Sequence, residues 1–195
     1  DVVLVDIALR LGTAVSWSDR AAMLLAAADG APPELRRAYR FEAASALEEA
    51  GEPARAAALY RQLQSERHGE PTVQLALDRA ELAAGEIQRV ADRRFSAARE
   101  APTDAERVLA LERLAGLHFE EHADPTNTVL SLQAILEVSP EHVPSLRQLE
   151  RYFIEHQRPE ELLAIEERLA RHLPEPEDAA VHLRHAARLR LAPEE

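Results

Sequence analysis

The chain has 195 residues, 46% hydrophobic and 30% charged, which suits one compact domain or a short helical array and is too apolar for a disordered chain. A net charge of −12 leaves no basic footprint for nucleic acid or for an anionic membrane, and no apolar run is long enough to insert into a bilayer. There is no cysteine, so disulfides, thiol catalysis and thiolate metal sites are excluded.

The elements follow in chain order. A helix is expected from about Val2 to Leu11, and a second from about Ser18, as N-cap, to Ala28. Asp29-Gly30-Ala31-Pro32-Pro33 breaks the chain, and a long helix then runs from about Glu34 to Ala50, stopping at Gly51. Pro53 opens the next, where its missing N–H costs nothing, and that helix ends near Ser65. Helices follow at about Thr72 to Ala84 and Glu86 to Glu100. Thr103 and Glu106 form a capping box for a helix from about Asp104 to His122. Asp124-Pro125 starts another, ending near Val138 before Ser139-Pro140. The last three are expected at about Val143 to Gln157, Glu160 to His172 and Glu177 to Leu191. Helix formers dominate, aromatics are 4%, and the class is all-α.

A period runs through these signals. Pro125, Pro159 and Pro193 are 34 residues apart, as are Pro140 and Pro174, and Gly51-Glu52 returns as Gly85-Glu86 at the same step. Such a period with helical content marks a helix-hairpin solenoid. Repeats start near Val3, Arg37, Pro71, Leu109, Val143 and Glu177, the sixth giving only one helix that would cap the array. The third step is 38 residues rather than 34, so a four-residue insertion lies within about Ala101 to Val108. It is expected to change the pitch of the stack; a break into two subdomains is the alternative. The chain begins and ends in mid-structure, at Asp1-Val2-Val3-Leu4-Val5 and Ala192-Pro193-Glu194-Glu195, and reads as a piece of a longer protein. All 23 basic residues are arginine, which suggests a GC-rich, bacterial genome and removes Schiff-base and Walker-type lysine chemistry. The cytoplasm is favoured, since no signal or spanning segment is seen.

The stretch Ala46-Leu47-Glu48-Glu49-Ala50-Gly51-Glu52-Pro53-Ala54-Arg55-Ala56-Ala57-Ala58-Leu59-Tyr60 resembles the tetratricopeptide repeat. Gly51-Glu52 is similar to the family's inter-helix turn, Ala56 to its small residue in the second helix and Tyr60 to its aromatic one turn later. Leu136-Glu137-Val138-Ser139-Pro140-Glu141-His142 resembles its closing turn. Other repeats depart from the pattern, with Val90 and Arg94 in the third and Leu162 and Glu166 in the fifth. The resemblance implies a right-handed α-solenoid of about five and a half repeats. Its first helices would line a concave groove that binds a peptide or another domain.

Projecting the first helices onto that face collects Phe41, Ser45 and Glu48, then Leu75, Arg79 and Leu82. Arg113, Leu117 and Glu120 follow, then Arg147, Arg151 and Ile154, and last Val181, His185 and Arg188. The arginines would form a ladder that, with interleaved Leu and Ile, suits an acidic-apolar segment. Otherwise they pair with neighbouring Glu as ordinary surface. The expected function is therefore a protein-interaction scaffold without chemistry or cofactor of its own. The alternative is a regulatory sensor module that reads a peptide or small effector. Self-association through exposed repeat ends is a further expectation.

His118-Phe119-Glu120-Glu121-His122 spells an inverted zincin motif, which would make a zinc hydrolase with Glu121 as general base. Surface histidines at a helix end are the preferred reading there, and His182 and His185, three residues apart, are read in the same way. Trp17 and Met23 read as packing. Glu48-Glu49, Glu120-Glu121, Glu160-Glu161 and Glu166-Glu167 read as solvated faces.

Overall fold

The computed structural model describes residues 15–67, 69–120 and 124–191. The expected first helix, Val2 to Leu11, lies outside them. The described residues form ten helices and no strand: α1 Trp17–Asp29, α2 Pro33–Glu49, α3 Pro53–Glu66, α4 Pro71–Ala83, α5 Ile87–Glu100, α6 Asp104–Glu120, α7 Pro125–Val138, α8 Val143–Glu155, α9 Pro159–His172 and α10 Pro176–Leu191. Each helix from α1 to α4 packs on the next, and so does each from α6 to α10. The packing divides into two compact units, one ending at Val90 and one beginning at Ala91. The boundary thus falls inside α5, ahead of the insertion.

Local chemistry sets the boundaries. Pro33, Pro53, Pro71, Pro125 and Pro159 each occupy the first helical position, where the backbone donor is unused and φ is preset. The cap of α1 is Ser16, not Ser18: its hydroxyl accepts from the Asp19 N–H at 3.1 Å. Ser18 instead donates to the Glu52 carboxylate at 2.6 Å. The Glu106 N–H donates to the Thr103 hydroxyl at 3.3 Å, and that hydroxyl meets the Glu106 carboxylate at 3.0 Å.

Helices α2, α4 and α8 end alike. Gly51 and Gly85 have φ of 74° and 77°, and the following N–H groups, of Glu52 and Glu86, close onto Leu47 and Glu81 carbonyls at 2.8 Å each. The end of α8 repeats this turn, with the Arg158 N–H on the Phe153 carbonyl at 2.9 Å, but the left-handed residue is Gln157, φ 51°. A side chain there works against the preferred conformation. Gln157→Gly is expected to raise the stability of the C-terminal unit by about 1 kcal/mol, read as a higher urea midpoint by circular dichroism. A midpoint that stays or falls would show that the Gln157 side chain makes up that cost.

The two cores differ in kind. Of twelve central residues in the N-terminal unit seven are alanine, including Ala44, Ala56, Ala57 and Ala80, so helix backbones approach closely around Tyr60, Leu47, Leu63 and Leu77. Phe41 meets Tyr60 edge-on, with ring centroids 5.4 Å apart. The C-terminal unit fills its interior with volume: Leu132, Ile135, Leu146, Leu149, Phe153, Leu162, Ile165 and Leu169.

Candidate docking residues and a buried carboxylate–histidine cluster

In the N-terminal unit the expected face is partly self-occupied. Tyr60 is fully buried, and its hydroxyl donates to Glu48 Oε2 at 2.8 Å, so the Ser45 hydroxyl, 3.1 Å away, donates to Tyr60. Arg79 closes on Glu48 with two bonds, Nε to Oε1 at 2.8 Å and Nη2 to Oε2 at 2.7 Å. Burial pushes the Glu48 carboxyl up, but the hydrogen bonds from Arg79 and Tyr60, with the Arg79 charge, bring it below the usual carboxylate range. The same carboxylate raises Arg79. Burial, and secondarily the neighbouring Glu48, push the Tyr60 phenol up to about 12, against the bond from Ser45. Glu48 is therefore a structural joint between α2 and α4, not a solvated residue. Leu75 is 69% exposed, Leu82 is half-buried, and Phe41 belongs largely to the core.

In the C-terminal unit the expected residues separate. Arg113, Arg151 and Arg188 are exposed, as are Ile154 and Val181 at 50% each. Arg94 donates to the Arg113 carbonyl at 2.6 Å. Leu117 does not line a surface. It is buried because α6 turns a wide face inward: Leu111, Leu114, Ala115, Leu117 and His118. His118 is therefore an interior histidine rather than a surface one. Its would-be zinc partners Glu121 and His122 lie outside the described residues. Trp17 is also not packed inside: it is about half exposed, under the Arg20 guanidinium at 5.3 Å.

The strongest polar feature was not expected from the sequence. Glu166, on α9, is fully buried. Its Oε2 lies 2.6 Å from His182 Nδ1, and its Oε1 meets His185 Nδ1. Glu150, on α8, places Oε1 3.4 Å from the same His182 nitrogen. Arg147, one turn earlier, sets Nη1 3.0 Å from His182 Nε2 and 3.4 Å from Glu150 Oε2. A guanidinium can only donate, so Nε2 accepts and the His182 proton sits on Nδ1, pointing at the carboxylates. His182 and His185, three apart on α10, face one way, so both reach Glu166. Glu166 is thus the opposite of a solvated face. In the frame expected from the sequence it stands 23 residues after Val143, as Tyr60 stands 23 after Arg37. That alignment is the signal that could have revealed it.

Comparison with protein-family models, with curated proteins and with solved structures finds no match to this chain.

Proposed function

We propose that the chain is a tetratricopeptide-like helical-repeat module, with right-handed repeats of about 34 residues, that docks an acidic-apolar protein segment. The observation that carries this reading lies in the C-terminal unit. The Arg147–His182 bond links α8 to α10. Along those helices Arg151 and Ile154, and Val181 and Arg188, fall at helical spacing and are exposed. Neither Arg151 nor Arg188 has an ion pair among the described residues. Unengaged guanidinium groups beside exposed aliphatic side chains favour carboxylates interleaved with Leu or Ile.

Arg79 and Arg147 are poor probes because both are held by this chain's own side chains. The test uses Arg151→Glu/Arg188→Glu. Peptides selected from a displayed random library on the native chain are expected to be enriched in Asp or Glu with Leu or Ile. They should bind the double variant at least about tenfold more weakly, by fluorescence anisotropy. Equal affinity for both chains, or selected peptides without that composition, would remove this face as the docking site.

A further inference from the structure

We propose that Glu150, Glu166 and His182 form a binding site for a first-row divalent metal ion such as Zn²⁺. One ligand atom of each lies within 4.8 Å of the other two. The three residues come from α8, α9 and α10, so the ion would tie three helices together. Two carboxylate oxygens and one imidazole nitrogen are a donor set that zinc and its neighbours accept.

Charge supports the assignment independently of spacing. Glu166 is fully buried and Glu150 largely so, while among the described residues the fixed cation touching the cluster is Arg147, whose side chain is 42% exposed. With the His182 proton on Nδ1, the Arg147 guanidinium reaches Glu150 but not Glu166, which meets the imidazoles of His182 and His185. A buried carboxylate short of positive charge is costly, and a divalent ion between the two carboxylates supplies it. Nothing in the repeat frame demands this arrangement, since the corresponding positions carry Tyr60 and Leu132, both buried.

The geometry needs little change. Two ligands of a tetrahedral zinc, each about 2.0 Å from it, lie about 3.3 Å apart. His182 Nδ1 and Glu150 Oε1 already stand 3.4 Å apart. The 2.6 Å contact to Glu166 opens when the ion replaces the hydrogen bond. The ion takes the Nδ1 lone pair, and the ring proton moves to Nε2, so no net proton leaves the imidazole. Nε2–H then opposes the Arg147 donor, and Arg147 shifts onto Glu150 or into solvent. His185 stays on the second oxygen of Glu166 and orients it, as outer partners of metal-binding carboxylates do. Three protein ligands leave a fourth position for water.

Titration of the full chain with Zn²⁺, by calorimetry and by ¹H–¹⁵N correlation of the histidine rings, tests this. One equivalent should bind, His182 should change from its Nδ1–H to its Nε2–H form, and the melting temperature should rise. Glu166→Gln and His182→Gln should each weaken binding at least about tenfold. Arg147→Gln, which removes a competing donor and cation, should strengthen it. His172→Gln, outside the cluster, should leave it unchanged. Failure of the native chain to bind would overturn the proposal. So would binding that leaves the His182 tautomer unchanged, or that survives both ligand substitutions. The tautomer readout needs no variant, so a misfolded substitution would not blunt it.

Discussion

His182→Leu is expected to lower the unfolding free energy of the C-terminal unit by about 3–5 kcal/mol in metal-free buffer, one of the largest losses available to a single substitution here. The cause is not the lost contact itself. Removing the imidazole leaves Glu166 Oε2, inside a fully buried side chain, without the N–H that now meets it at 2.6 Å. It also leaves Arg147 without the acceptor at 3.0 Å. A charge stranded in the interior costs far more than the pair contributes. The corollary is sharper than the loss. His182→Leu/Glu166→Leu should recover most of the stability, because apolar groups of similar volume replace a buried polar set at little cost. The chain offers a convenient control: Trp17, its one tryptophan, lies in the N-terminal unit. Urea unfolding followed by far-ultraviolet circular dichroism should move to lower denaturant, while the Trp17 emission transition stays close to its native midpoint. An unchanged dichroism midpoint in the single variant would mean that the cluster contributes nothing to stability. A double variant as weak as the single one would mean that shape, not charge, is what His182 supplies.

The same cluster shows where a sequence informs and where it is silent. Helix boundaries were legible because their causes are local. Proline at the first position and glycine after the last turn act within a few residues, so the ends at Gly51 and Gly85 agree with expectation to within about two residues. Gln157 adopts the same left-handed turn unannounced, since glutamine carries no preference for it. The face of a helix is less legible than its ends. Spacing alone projected Ile154, Val181, Arg151 and Arg188 onto the expected concave face, and these four residues are exposed. The same spacing put Leu117 there as well, because it does not reveal that α6 buries residues on both sides of its stripe. The carboxylate–histidine cluster depends on residues 16 positions apart from each other, Glu150 to Glu166 and Glu166 to His182. A doublet such as Glu166-Glu167 looks solvated in isolation; only tertiary packing separates the buried member from the half-buried one.

Alkaline pH should expose the corresponding joint in the N-terminal unit. Tyr60 is fully buried and its phenol is pushed up to about 12, first by burial and then by Glu48. In the unfolded chain a tyrosine titrates near 10. The folded state therefore holds the phenolic proton more tightly than the unfolded state. The stability this provides is complete below about pH 10 and is lost as pH rises through about 12. Over that window the native chain should lose about 2–3 kcal/mol through Tyr60 alone, at 1.36 kcal/mol for each unit of difference. Tyr60→Phe removes the proton and with it this slope. Near neutral pH the variant should be less stable by about 1 kcal/mol, because Glu48 loses a donor and Ser45 an acceptor. At about pH 12 the order should invert. Urea midpoints of the two chains, followed by Trp17 emission between about pH 8 and 12, would cross if ionisation of the buried phenol drives the loss. Parallel curves would place the alkaline sensitivity elsewhere. The measurement isolates the hydroxyl that joins α2 to α3: the ring of Tyr60, its edge contact with Phe41 and the alanine-lined space it fills remain in the variant. What the hydroxyl adds is a fixed donor on Glu48, and Glu48 in turn holds Arg79.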